Sequence, residues 1–334
     1  MAETEVSRAA GVGVATVSRA LAPDPHPDVS AAKRERVREA ADLLRYRPSG
    51  AARALRTGAY HALSIVLPDD AWGWWEPTVR SSFLAAAEEG HHVLVHPIGG
   101  RTGGAATAVD SLADVPTDGV LLFGSANDDD VLRASNRLRL PVVTIDDVNE
   151  NVLFPTLSVD NRAGAQAACE HLIASARRRI VYVGTGSASE LFVRERFAGY
   201  RDALTAAGLA WDERLVVQSP EAADESIVTL SGVSQLIITG VRFDAVFCEY
   251  DLLAAPLLRT LRLAGLRVPE DVAVVGFDDE RAAQLLDPQL TTMRQPYGEL
   301  GHRAVELLLD RIRGNAPTVG RQLIRPTLVQ RHSG

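Results

Sequence analysis

Val12-Gly-Val-Ala-Thr-Val-Ser-Arg-Ala-Leu21 has the pattern of the second helix of a helix-turn-helix. Gly11 precedes it and supplies the bend, because a residue without Cβ tolerates the left-handed backbone of such turns. Val17 and Leu21 are four residues apart, so they share one helical face and can pack on an earlier helix. The other face then carries small side chains, two hydroxyls and one guanidinium, on Val14, Ala15, Thr16, Ser18 and Arg19.

This second face suits the major groove of DNA. Small side chains let a helix enter the groove, hydroxyls bind phosphate oxygens, and an arginine matches the edge of a guanine. The stretch alone is equally compatible with an ordinary amphipathic helix in a helical hairpin. The residues that follow favour the DNA-binding interpretation.

The neighbouring segments predict a helical head over residues 1–47. Residues 3–10 have the length and pattern of a short first helix. Ser30 is placed to cap a third helix that runs from Ala31 to about Arg45. Three short helices of this kind can enclose one small core.

A hinge is predicted over residues 48–59. Its Ala-rich part, residues 49–57, is too short to stay helical alone in water, so it must fold on a partner. Leu55 lies between Arg53 and Arg56, which is the composition of a side chain that unstacks a minor-groove base step while its neighbours hold phosphates. A plain linker is the alternative interpretation.

Length, charge and cysteine content set wider limits. The chain has 334 residues, enough for two or three domains. Residues 1–60 hold ten Lys and Arg against seven Asp and Glu, whereas the whole chain has a net charge of −8, so a basic head precedes an acidic body. Cys169 and Cys248 are the two cysteines, and neither has a spaced partner for a disulfide framework or a zinc site. We expect both to be buried.

No membrane or secretion signal is recognised in the sequence. The first residues are acidic and polar, and no apolar run approaches the roughly 20 residues of a membrane span. We therefore expect a cytoplasmic protein that has no membrane partner and no cofactor.

From Ala62 onward the pattern is that of buried parallel strands alternating with helices. Short apolar runs begin at Ala62, His92, Gly119, Pro141, Ile180, Ala245 and Val272. Residues 83–90, 252–263 and 297–312 have helical length and pattern. This alternation predicts an α/β body with doubly wound parallel sheets.

Several phrases along the chain resemble the LacI/GalR (lactose-repressor) family. They are Val6–Leu21, Tyr46-Arg-Pro48, Ala51–Thr57, Ser158–Gly164, Arg194–Leu204, Arg267–Asp279 and Leu290–Gln295. The resemblance implies base contacts by Val14, Ala15 and Arg19, phosphate contacts by Thr16 and Ser18, and minor-groove contacts by Ala52 and Leu55. The chain departs from the family pattern at Gly13, at Ala22, and at Ser49-Gly50, where the hinge usually starts with Asn.

The same resemblance implies the fold of the body. It predicts an N-terminal all-α helix-turn-helix head followed by a periplasmic-binding-protein-like α/β body over residues 60–334, made of two doubly wound parallel-sheet halves. The halves comprise about 60–159 plus 296–323, and 160–295 plus 324–334. Residues 213–235 match the family least well.

Candidate effector-binding residues follow from the position of ligands in open α/β sheets, at the carboxyl ends of the strands. Residues 69–76 follow the first strand and hold three of the four tryptophans, whose faces can stack on a sugar or cover the core as loop aromatics. Carboxylates at strand ends can accept sugar hydroxyls or cap helices. The resemblance favours Trp74 or Trp75 among the tryptophans. The full set of candidates is Trp74, Trp75, Asp146, Arg196, Tyr250, Asp278 and Gln295.

Two of these candidates depend most on the resemblance. The family places a ligand-gripping arginine at Arg196, whose planar fork suits vicinal hydroxyls or a carboxylate. Arg194 lies nearby, and a structural ion pair is an equal possibility for it. Tyr250 stands where the family usually has Asn, which makes the predicted pocket more aromatic.

The sequence therefore predicts a sequence-specific transcriptional regulator, most simply a repressor. Its partners would be double-stranded operator DNA, a second copy in a homodimer, and a small effector of carbohydrate type that releases the DNA. An effector that tightens DNA binding as a co-repressor, or a solute-binding protein without a DNA function, are the alternatives. No Ser-His-Asp or Cys-His pattern stands out in the sequence, and Gly184-Thr-Gly186 lacks the rest of a dinucleotide fingerprint, so we expect no enzyme.

Overall fold

The computed structural model describes most of the chain. The described residues are 3–22, 27–47, 54, 58–69, 72–99, 104–124, 129–145, 148, 150–185, 190–218, 225–315 and 319–334, without the side chains of residue 74 and residues 225–230. The chain divides into two compact units, residues 1–62 with 115–118, and residues 63–114 with 119–334.

The head consists of α1 (Glu3–Ala10), α2 (Val14–Ala20) and α3 (Ala31–Leu43). Gly11 has a φ of +64°, which confirms the predicted left-handed bend between α1 and α2. Ser30 Oγ accepts a hydrogen bond from the Lys33 amide at 3.3 Å, so the predicted cap of α3 is also confirmed. One small core holds the three helices together; it contains Val6, Ala10, Val17, Ala20, Val29, Val37, Ala40 and Ala41.

In the second unit strands and helices alternate along the chain. The strands are β1 (Ala62–Pro68), β2 (His92–Ile98), β3 (Gly119–Phe123), β4 (Val142–Ile145), β5 (Pro155–Val159), β6 (Ile180–Gly184), β7 (Val216–Gln218), β8 (Ala245–Cys248), β9 (Ala273–Asp278), β10 (Thr291–Arg294), β11 (Gly320–Ile324) and β12 (Thr327–Val329). The helices are α4 (Trp72–Glu88), α5 (Ala105–Ser111), α6 (Asp129–Leu138), α7 (Asn161–Ala174), α8 (Leu191–Ala206), α9 (Glu225–Ile238), α10 (Ala254–Leu263) and α11 (Tyr297–Ile312). Single 3-10 turns lie at Leu112–Asp114, Glu213–Leu215, Asp251–Leu253 and Arg281–Gln284.

Within the described residues these strands form two six-stranded sheets. Their orders are β11-β5-β4-β3-β1-β2 and β12-β10-β9-β8-β6-β7. Neighbours such as β1 and β3, or β9 and β10, are parallel, with Leu63 opposite Gly119 and Thr292 opposite Gly276. The predicted class of parallel α/β sheets is confirmed, with β12 as an antiparallel strand at one edge.

Helices cover both faces of each sheet, which explains the near-continuous apolar strands. In the first sheet, α11 packs on the strands through Leu300, Ala304 and Leu308. The second sheet has one hydrophobic core on each face. Cys169 and Cys248 are buried in these cores, as expected, and they form no disulfide. Among the helices that the structure describes, none has the length and apolar character needed to cross a bilayer.

One helix differs from the sequence expectation. The tryptophan-rich segment after β1 was expected to be a loop, with a helix only over residues 83–90, whereas α4 begins at Trp72 and continues through Pro77 to Glu88. Pro77 is the sixth residue of this helix and has no N–H, so it cannot donate to the carbonyl four residues earlier, and a proline at this position usually indicates a helix boundary. The proline and the aromatic cluster concealed the helical pattern in the sequence.

Candidate functional site

The helix α2 presents the residues that the sequence assigns to DNA. Val17 and Ala20 are buried in the head core, whereas Val14, Ala15 and Arg19 are exposed. Thr16 and Ser18 are half-buried at the edges of the exposed face. The structure therefore brings the five predicted contact residues onto one accessible side of a single helix, and their contacts with DNA stay a prediction.

Arg19 forms an ion pair with Asp28, which is its polar contact among the residues that the structure describes. Its Nη1 lies 3.5 Å from the Asp28 carboxylate, and both side chains are largely exposed. An exposed pair of this kind is worth at most about 1 kcal/mol. The guanidinium is thus available to exchange this partner for a base edge.

The predicted hinge contacts lie outside the described residues. Ala52 and Leu55 belong to the segments for which no placement is described. Within the hinge the structure describes Ala54, which is buried, and Gly58, whose amide donates to the Ala54 carbonyl at 2.7 Å. The minor-groove role of Ala52 and Leu55 remains a prediction.

In the body, Arg196 is the centre of a buried polar cluster. It lies on α8 with 2% of its side chain exposed, and its guanidinium donates to three acceptors. Nε reaches Asn161 Oδ1 at 2.9 Å, Nη1 reaches the Glu249 carbonyl at 2.6 Å, and Nη2 reaches Asp278 Oδ1 at 3.1 Å. The guanidinium carbon also lies 3.8 Å from the centroid of the Phe277 ring. These contacts fix the orientation of the planar guanidinium group.

Asp278 ends β9 in an unusual backbone conformation. Its φ is 111° and that of Asp279 is 54°, a region that non-glycine residues rarely occupy, and such strain is found mostly at functional sites. Gln295 Nε2 also donates to Asp278 Oδ1, at 2.5 Å. Asp278 Oδ2 is buried and has no hydrogen-bond partner among the described residues. Burial raises the pKa of Asp278, and the Arg196 charge opposes that shift.

Asp251 stabilises the turn formed by Asp278, Asp279 and Glu280. Its Oδ2 accepts from the Glu280 amide at 2.8 Å, and its Oδ1 accepts from Thr292 Oγ1 at 2.6 Å. Burial, together with the negative charge of Asp278, raises the pKa of Asp251 to about 8. A Cβ on Gly276 would lie 2.2 Å from Asp251 Oδ1, so only glycine fits beside this carboxyl group.

Two arginines stabilise the same turn by donating hydrogen bonds to Asp279. Arg294 Nε donates to Asp279 Oδ2 at 2.6 Å, and Arg331 Nη2 donates to Asp279 Oδ1. Arg331 Nη1 also donates to the Leu290 carbonyl at 2.8 Å. Asp279 is therefore a structural residue, which leaves Asp278 as the carboxylate with an open acceptor.

Glu249 is a buried carboxylate that the sequence analysis did not select. It accepts hydrogen bonds from the Tyr182 hydroxyl and from Thr185 Oγ1, the latter at 2.9 Å. Burial and the Glu249 charge raise the pKa of Tyr182 well above its ordinary value. Glu249 follows β8 directly, so the strand-end rule that identified Asp278 could also have identified it.

The other candidates are less closely associated with Arg196. Trp75 packs partly buried against the first core and meets Phe123 edge to face at 5.2 Å, which favours the alternative that it covers the core. Tyr250 is 4% exposed within the second core. Arg194 forms a 2.9 Å ion pair with Glu150, as the structural alternative predicted. The side chain of Trp74 and all of Asp146 lie outside the described residues, and the effector roles of these tryptophans, Tyr250 and Asp146 remain predictions.

Comparisons with protein-family models match both parts of the chain. Residues 4–49 match the model of bacterial regulatory proteins of the lacI family. Residues 169–334 match the model of a periplasmic binding protein-like domain.

Curated relatives match over nearly the whole length. The chain is 33% identical to the HTH-type transcriptional regulator CelR of Thermobifida fusca, covering 98% of this chain and 97% of CelR. It is 30% identical to the HTH-type transcriptional repressor CytR of Escherichia coli strain K12, covering 98% of this chain and 95% of CytR. These relatives are transcription regulators.

Solved structures match as well. A complex of the transcriptional regulator CelR with cellobiose is 30% identical, with a TM-score of 0.69 and full coverage of both chains. A lac repressor dimer bound to operator and the anti-inducer ONPF is 25% identical, with a TM-score of 0.82 over 100% of this chain and 98% of the other. With its exposed α2 face and its two parallel sheets, the chain belongs to the LacI family of bacterial transcriptional regulators.

Proposed function

We propose that this protein is a repressor that leaves its operator when a carbohydrate binds to the body. The observation that carries the proposal is the exposed α2 face combined, in one LacI-family chain, with a buried arginine–carboxylate cluster at the strand ends. A regulator that binds the chromosome acts in the cytoplasm, and it needs no catalytic group. Its parts are the head at 1–47, the hinge at 48–59 and the body at 60–334.

At the operator, two heads of a homodimer bind the two halves of a pseudo-palindrome. Val14, Ala15 and Arg19 contact base edges, and Thr16 and Ser18 contact phosphates. Ala52 and Leu55 of both hinges enter the minor groove, where the paired leucines kink the central step. The lac repressor structure, a dimer on its operator, supports this arrangement by similarity.

In the body, the effector meets the polar cluster around Arg196. Asp278 Oδ2 has an open acceptor position that suits a sugar hydroxyl. Because the related CelR has been solved with cellobiose, we take cellobiose as the first effector to test. Binding there alters the relative orientation of the two sheets, which changes the spacing of the paired hinges and releases the DNA.

A selection of binding sites from random duplex DNA tests the DNA-binding part. The full chain should enrich a pseudo-palindrome, and Leu55→Ala should weaken binding to it far more than binding to unrelated DNA. Arg53→Ala is the control, since loss of a phosphate contact weakens both kinds of binding alike. Enrichment of no sequence, or equal losses for Leu55→Ala on both DNAs, would contradict the proposal.

Operator binding in the presence of cellobiose tests the direction of control. A repressor released by its effector loses operator affinity when the sugar is added. A gain in affinity would instead identify a co-repressor and overturn the direction that we propose.

A further inference from the structure

Asp28 lies beside Arg19 on the exposed side of the head. Its Oδ2 is 3.5 Å from Arg19 Nη1, and 66% of the aspartate side chain and 49% of the arginine side chain are exposed. Arg19 is the last residue but one of α2, whereas Asp28 belongs to the segment that precedes α3. A carboxylate therefore faces the arginine that we expect to contact a base.

The residues that follow Asp28 fix its position. Val29 is buried in the core of the head, and its carbonyl accepts a hydrogen bond from Arg34 Nη2 at 3.3 Å. Ser30 then caps α3. Because α2 packs on the same core, the backbone atoms of Asp28 and Arg19 are held at a defined separation.

The contact with Asp28 engages one end of the Arg19 guanidinium. An arginine has five N–H donors on three nitrogens in a rigid plane, and a two-point contact with O6 and N7 of guanine needs two of them. Nη1 can thus face the carboxylate while Nε and Nη2 face a guanine. Arg19 can meet a base by exchanging Asp28 for it, as the weakness of an exposed pair allows, or by keeping both contacts.

Two physical effects favour keeping the ion pair on DNA. A long side chain loses rotamer freedom when it binds, and a side chain that a neighbour already holds loses less. Displacement of water by the duplex lowers the effective dielectric, which strengthens the attraction between the two charges. Exchange would instead separate the Asp28 carboxylate from Arg19 at the surface of a polyanion, where an uncompensated negative charge is unfavourable.

We propose that Asp28 is a positioning residue, which holds Arg19 for the edge of a guanine and thereby raises sequence discrimination. This inference rests on the proposed function, because it needs Arg19 to contact a base of the operator. Asp28 also has an effect that is independent of sequence, since its negative charge weakens binding to the phosphates of any duplex. Removal of the carboxylate should therefore strengthen binding to unrelated DNA and reduce discrimination at one base pair of each half-site.

Asp28→Asn in the full chain tests the proposal. The DNA is the pseudo-palindrome selected from random duplexes, with single base pairs changed symmetrically in both half-sites. Competition anisotropy gives the affinity for each duplex, and the base pair at which Arg19→Ala loses discrimination is the one that Arg19 reads. There Asp28→Asn should lower discrimination by about fivefold per half-site, the upper value for an exposed ion pair, and discrimination at the other base pairs should stay unchanged.

Asp42→Asn is the matched control. Asp42 lies exposed on α3, and the substitution removes the same charge from the head. It should raise the affinity for all duplexes alike and leave discrimination unchanged at every base pair. Asp28→Ser removes the same carboxylate as Asp28→Asn and provides a second measurement if that variant folds poorly.

A double-mutant cycle supplies a result that a purely structural role of Asp28 would not give. In a chain that already carries Arg19→Ala, Asp28→Asn should not change discrimination at the base pair that Arg19 reads, because the residue that Asp28 positions is absent. A loss of discrimination that persists in this chain would overturn the inference.

The remaining outcomes separate this inference from the proposed function. If Arg19 exchanges Asp28 for the base, Asp28→Asn strengthens operator binding and leaves discrimination at that base pair unchanged or increased, which would overturn the inference while the regulator function stands. An Arg19→Ala chain that keeps discrimination at every base pair would have the same consequence. A selection that enriches no sequence would overturn both the proposed operator binding and this inference.

Discussion

Arg196→Met is expected to lower the unfolding free energy of the body by about 3–5 kcal/mol. Methionine retains the apolar volume of the arginine stem and loses the guanidinium that lies over the Phe277 ring. It removes the donors to Asn161, Glu249 and Asp278, all of which are buried. The carboxylate of Asp278 would remain in the interior with Gln295 as its described donor, and a buried charge without its counter-ion is costly.

Arg194→Met is the matched control, two residues earlier on the same helix. Arg194 also forms an ion pair, with Glu150 at 2.9 Å, but both side chains are substantially exposed. Exposed pairs contribute about 0–1 kcal/mol. The two variants thus remove the same charge from α8 and differ in the burial of the partner.

Urea denaturation at pH 7 and one fixed protein concentration measures the difference. The four tryptophans all lie in the body, so their fluorescence reports its unfolding rather than that of the head. Combining Arg196→Met with Asp278→Asn should restore part of the stability, because the uncompensated charge is removed. If Arg196→Met and Arg194→Met both lie within about 1 kcal/mol of the unmodified chain, the buried cluster does not have the energetic role that we assign to it.

Three further predictions concern other contacts. Since the pKa of Asp251 is raised to about 8, its protonated form stabilises the fold fully below about pH 4 and this contribution is lost as the pH rises to about 8. Asp251→Asn should therefore flatten the fall in unfolding free energy between about pH 5 and 8, and an unchanged pH profile would contradict the assignment. Gly199→Ala should destabilise the body by about 1–3 kcal/mol in thermal unfolding, because the added Cβ would lie 2.2 Å from the Arg162 carbonyl oxygen. Gly298→Ala is the control: its added Cβ meets nothing within 4 Å, so the change in stability should be close to zero. Arg19→Ala should reduce discrimination at one operator base pair by about 1–3 kcal/mol in competition binding while leaving head stability unchanged; a uniform loss over all base pairs would indicate a phosphate contact instead.

Local signals in the sequence were sufficient to predict the turn and the helix cap of the head. The bend at Gly11 and the cap at Ser30 each depend on a residue and its immediate neighbours, and the structure confirms both. The buried strands were recognisable because two covered faces require continuous apolar residues. Short strands such as β7 and β12 were not predicted, since three residues carry too little pattern.

The contacts within the effector site could not be predicted from the sequence, because they join residues that are far apart along the chain. Glu249 meets Tyr182, 67 positions earlier, and Arg196 meets Asp278, 82 positions later. A strand-end position identifies a candidate carboxylate, but only the sheet order decides which side chain it faces. The strand-end position thus selected Asp278 as a candidate, but only the structure shows that Asp278 has an open acceptor among the described residues and that Asp279 is held by two arginines.

Reciprocal binding of operator and effector is the most direct test of the central claim, that the body controls the hinge. Operator affinity is measured by fluorescence anisotropy with and without saturating sugar, and sugar affinity by calorimetry with and without operator. Linkage predicts that both affinities fall by the same factor, roughly 5–150-fold. A sugar that binds the body and leaves operator affinity unchanged would contradict the account.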